Sequence, residues 1–87
     1  MQKTSTSKIP VGISDLSKMM KMTEVEVKFF PKLKALRQLL KDYNFGVLPK
    51  KKLVEQLEAM KVECINENIG AYAEGVGELK GVIQYRY

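Results

Sequence analysis

Eighty-seven residues, 45% of them apolar, with 15 Lys or Arg against 10 Asp or Glu, specify one small basic domain of net charge +5 and isoelectric point near 9.4. The absence of histidine removes His-based acid–base chemistry, the usual nucleophilic triads and most zinc sites. Cys64 is the single cysteine, so no intramolecular disulfide can form, and a lone thiol in an apolar pattern suits a buried, inert position in a reducing, cytoplasmic compartment.

Charge is unevenly placed. Lys28, Lys32, Lys34, Arg37, Lys41, Lys50, Lys51 and Lys52 are met within residues 28–52 only by Asp42, a local net of +7. Residues 61–87 carry net −1. A segregated basic segment is the electrostatic footprint of a polyanion binder; it is also what a solvated helix face looks like. No apolar run reaches the length of a membrane span, and the N-terminal lysines precede no apolar core of a signal peptide, so no membrane role is expected.

Residues 1–13, rich in Thr, Ser and Lys, read as a flexible N-terminal arm, and 14–87 as the folded domain. Ser14 or Asp15 can cap a short helix over 16–21 with Leu16, Met19 and Met20 on one side. The spacing next predicts a strand over 23–29. Val25, Val27 and Phe29 alternate with Glu24, Glu26 and Lys28. Thr23 and Glu26 also form a capping-box pair, which would start a helix instead.

Pro31 opens a helix over 31–43, with Leu33, Leu36, Leu40 and Tyr43 on one face and Lys34, Arg37 and Lys41 on the other. Asn44 and Gly46 stop it. Pro49 opens a second helix over 49–68, with Leu53, Leu57, Met60 and Cys64 repeating at helical spacing. Lys50, Lys51 and Lys52 crowd its first turn, where the helix dipole disfavours cations and a bound anion would be welcome. In the extension, 69–87, Ile69, Tyr72, Val76, Leu79 and Ile83 fit a helical repeat, but Gly70, Gly75, Gly77 and Gly81 weaken it. Helix is expected to about Asn68, then irregular structure or a hairpin ending in the alternating residues 82–87. The fold class expected is therefore mainly α with a short strand, α+β.

Strand, proline-led helix, Asn/Gly break and second helix, over residues 23–61, resemble the ribbon-helix-helix family. The resemblance implies an intertwined homodimer that reads double-stranded DNA with a two-stranded ribbon. On that mapping Val25, Val27, Phe29, Leu36, Leu40, Leu53 and Leu57 form the dimer core, and Glu24, Glu26 and Lys28 face the bases. Lys32, Lys34, Arg37, Lys50, Lys51 and Lys52 meet phosphate. The chain departs from the family in its groove-facing glutamates, in a one-residue join at Phe30 and in Val47-Leu48-Pro49 where a Ser or Thr cap is usual. Residues 13–30 also resemble helix-turn-helix spacing, with Leu16, Met20, Met22, Val27 and Phe30 as buried positions.

These readings make the chain a small dimeric DNA-binding protein, a transcriptional repressor or a phage or plasmid accessory factor. The alternative is an α-rich protein-interaction module, an inhibitor or assembly factor without nucleic-acid binding. No enzyme is expected. Glu55, Glu58 and Glu63 lie on the polar side of a helix without a nucleophile, base or phosphate loop, and no metal or cofactor is implied.

Overall fold

A computed structural model describes residues 8–23 and 29–87. Every regular element among them is helical: α1 (Ile13–Met19), α2 (Phe30–Asn44), α3 (Lys50–Asn66) and α4 (Gly70–Arg86). The closest pairing is the hairpin of α3 and α4; α2 packs on α3, and α1 on α4.

Apolar spacing explains which faces are buried. In α2, Leu33, Leu36 and Leu40 are buried. In α3, Leu53, Leu57 and Cys64 are. Together with Ile9, Leu16, Met20, Phe29, Tyr72, Ala73, Val76, Leu79 and Ile83 they form one core, and no charged residue among the described residues is buried. Each large side chain placed there stabilises the fold by about 1.5–3 kcal/mol relative to exposure.

Three chain reversals use the same device. After α2, Gly46 takes φ 80°, its N–H bonds to the Tyr43 carbonyl, and the Val47 N–H reaches back to Asp42. After α3, Asn68 takes φ 60°, with Asn68 N–H on Ile65 and Ile69 N–H on Cys64. After α1, Lys21 takes φ 56°, with Lys21 N–H on Lys18 and Met22 N–H on Ser17. All three are Schellman closures, which satisfy the last carbonyls of a helix through a left-handed residue. Lysine in that conformation costs more than glycine or asparagine.

The α+β expectation is overturned. No strand occurs among the described residues, which are all-α in their regular structure. Of the expected strand, residues 24–28 lie outside the described residues. Thr23 sits in a bend, and Phe29 has helical backbone angles, φ −87° and ψ −11°, as the cap of α2. The alternation of period two thus runs into a helix start at Phe29, and no ribbon strand is shown among the described residues, so the ribbon-helix-helix resemblance is not supported. The helix-turn-helix spacing fares no better at its end: Phe30 is 43% exposed and belongs to α2.

The C-terminal hairpin is also corrected. One helix runs from Gly70 to Arg86. Tyr72, Val76, Leu79 and Ile83, spaced four, three and four, are all at 0% exposure, and this burial outweighs the propensity cost of four glycines. Gly75 has a packing reason. A Cβ there would stand 3.0 Å from Met20 Cε and 3.1 Å from Met22 Sδ, so the missing side chain lets α1 lie close against α4.

Of the expected arm, residues 1–7 lie outside the described residues. Within residues 8–13, Ile9 is buried, its N–H donates to Asn44 Oδ1 at 2.8 Å, and Asn44 Nδ2 donates to its carbonyl at 2.9 Å.

Candidate nucleic-acid interface

The basic residues separate into two populations. Lys32, assigned to phosphate from sequence, faces the end of α3. Its Nζ donates to Glu63 and, at 2.9 Å, to Glu67. The hydrogen bond with Glu63, then that with Glu67, holds its pKa well above the ordinary lysine value. Lys52 lies 3.8 Å from Glu55.

Lys50 answers the question of why lysines crowd the start of α3. In the antiparallel hairpin this end adjoins the C-terminus of α4, and Lys50 Nζ lies 3.2 Å from the Gln84 carbonyl oxygen. That carbonyl belongs to the last turn of α4, where orphan acceptors and the negative end of the dipole favour a cation. The Tyr43 hydroxyl donates to Tyr87 O at 2.6 Å and covers the same end. The C-terminal end of α4 thus offers Lys50 an acceptor within the chain.

Lys34, Arg37 and Lys41 are different. Lys34 and Lys41 are exposed, and none of the three pairs with an acid among the described residues. Arg37 is half-buried, and its Nε is buried without a hydrogen-bond partner. Steps of four, three and four residues from Phe30 through Lys34 and Arg37 to Lys41, and four more to Phe45, put all five on one helix face. At 1.5 Å per residue this stripe is about 22 Å long. Phe30 is 43% and Phe45 76% exposed, and Lys8 Nζ stands 5.9 Å from the Phe45 ring centroid. Lys51 is exposed beside Lys50, away from this stripe.

The other assigned residues fall out as follows. Glu24, Val25, Glu26, Val27 and Lys28 lie outside the described residues. Phe29, Leu36, Leu40, Leu53 and Leu57, assigned to a dimer core, are at 0–2% exposure within one chain, so their surface is already used. Sequence reading left Phe30, Phe45 and Lys8 out of the site. The spacing 30-34-37-41-45 was available to find the two rings; the approach of Lys8 was not.

A second surface feature is a groove of about 900 Å³ between α3 and α4, lined by Ile65, Gly77, Gly81, Val82 and Tyr85 among others. Tyr85 is 89% and Ile65 56% exposed. One ion pair crosses this hairpin, Lys80 Nζ 2.7 Å from Glu58 Oε1, and Lys61 Nζ, on α3 itself, lies 3.4 Å from the same oxygen. The hydrogen bond from Lys80 is the main reason the Glu58 carboxyl titrates below its ordinary value. Burial pushes the Cys64 thiol and the Tyr72 phenol up, leaving both neutral at physiological pH. No helix among the described residues is long and apolar enough to cross a membrane.

No family model matches the chain, and no curated protein or solved structure matches it either.

Proposed function

We propose that this chain binds nucleic acid through the outer face of α2, with Lys34, Arg37 and Lys41 against the phosphate backbone. The observation that carries the reading is that these three cations share one face and lack acid partners among the described residues, whereas Lys32, Lys50 and Lys52 are engaged within the chain. Unpaired cations in a row keep their full charge for a polyanion and release its condensed counterions on binding. The interface needs only one chain, because α2 is held by the core of that chain alone. A repressor or phage or plasmid accessory role would build on such binding.

Salt dependence tests it. Binding of the full chain to a fluorescent oligonucleotide is expected to weaken linearly in log–log form, with a slope of about −2 to −3 for three contacts. Absence of binding at low salt would end this reading.

A second reading, a protein-interaction module, is favoured by the groove between α3 and α4, where glycines leave space beneath the exposed Ile65 and Tyr85. A partner helix laid there would protect Gly77 and Gly81 amides from hydrogen exchange; oligonucleotide would protect α2.

A further inference from the structure

We infer that the nucleic acid taken by α2 is single-stranded; this rests on the nucleic-acid reading and goes beyond it to the class of strand. The cations account for affinity to any polyanion, but not for the two phenylalanines that bracket them. Phe45 at 76% and Phe30 at 43% exposure place aromatic rings in water at both ends of the stripe, while Leu33, Leu36 and Leu40 of α2 are buried. A stacking platform consists of such parts: a backbone-tracking row of cations with ring faces for bases alongside.

Duplex and single strand differ in what they offer those rings. In a duplex each base face is covered by its neighbour, and a ring can reach one only by prising a step open. Unpaired bases are free to turn out and stack while the intervening phosphates follow Lys34, Arg37 and Lys41. Lys8, over the Phe45 ring, brings a fourth cation to that end. The stripe of about 22 Å gives room for a few nucleotides, as on other single-strand surfaces. The shared chemistry is an unpaired, stackable base on a phosphodiester chain, whether DNA or RNA.

The test is fluorescence anisotropy with the full chain and three labelled probes: oligothymidylate, oligouridylate and a mixed-sequence duplex of the same length. At moderate salt, a single strand is expected to bind about tenfold or more tightly than the duplex. The tighter of the two single strands identifies DNA or RNA as the source. Replacing both rings, Phe30→Ala with Phe45→Ala, should lower single-strand affinity about a hundredfold, leave duplex affinity unchanged and preserve the salt slope. Circular dichroism checks that this double variant stays folded; should it not, Phe45→Ala alone, at the more exposed position, is expected to cost single-strand affinity about tenfold. Equal affinity for all three probes, or ring replacement without effect on single strands, would overturn the single-strand inference while the phosphate reading stood. No binding to any probe at low salt would remove the phosphate reading itself.

Discussion

The outer face of α2 and the α3–α4 hairpin both carry many lysines, yet the fold treats them in opposite ways. Along the hairpin, Lys61 and Lys80 meet Glu58, Lys32 reaches across from α2 to Glu63 and Glu67, and Lys50 meets the carbonyl end of α4. On the outer face, Lys34, Arg37 and Lys41 meet no acid among the described residues. A run of positive charge in sequence is therefore not one object. Antiparallel packing brings some lysines to carboxylates and helix ends distant in sequence, and leaves others to solvent. Among the described residues, the second group is the one that sets unpaired cations in a row along a single helix face.

The largest effect expected from this contrast is on binding. Reversing charge at Lys34 and Lys41 together should weaken oligonucleotide affinity about a hundredfold, since each phosphate contact near 0.1 M salt contributes about tenfold. Neutralising Lys32 and Lys52 by glutamine should change it less than about threefold, because their charges are already met. Anisotropy on both pairs measures this, and equal losses would erase the distinction between the two populations.

Stability gives a smaller effect and sharpens how α4 packs. Gly75→Ala should leave the fold less stable than Gly81→Ala does, because the new methyl would press on Met20 and Met22 and offset the helix-propensity gain of about 1 kcal/mol. Gly81→Ala, with nothing within 4 Å of the new Cβ, should stabilise α4 by about 1 kcal/mol through helix propensity. Chemical denaturation separates them; equal gains would mean that Gly75 is not a close-packing position.

The smallest effect is electrostatic. Glu58 titrates below the ordinary value of 4.5, chiefly through Lys80, so it stabilises the folded chain above that pH and loses its contribution as pH falls through its lowered value. Glu58→Gln should flatten the acid limb of a stability–pH profile slightly, with no change in shape above pH 6. An unchanged acid limb would show that the exposed pair contributes nothing measurable.

Legibility differed by element. Helices α2 and α3 can be read directly, because Leu33, Leu36 and Leu40, and Leu53, Leu57 and Cys64, recur at one helical face between proline starts and left-handed stops. Propensity misled at α4: four glycines argued for a break, while four core side chains on one face carried the helix to Arg86. Local alternation misled before α2, where Phe29 turned out to be a buried helix cap resting on Tyr72, ring centroids 4.9 Å apart. The candidate site was half legible. Lys34, Arg37 and Lys41 could be assigned to one face from spacing alone, whereas the withdrawal of Lys32 and Lys50 could not.

By itself the sequence determined the periodic faces of the central helices, the basic segment and the lack of histidine chemistry, because these depend on residue type and on spacings within one or two turns. Only the tertiary structure decided that the chain is all-α across the described residues, which glycine admits a neighbouring helix and which lysines meet partners there. Those outcomes depend on contacts between residues some 30 positions apart, as between Lys32 and Glu63 or Lys50 and Gln84. No local pattern encodes such pairings, since they follow from how buried faces pack against one another.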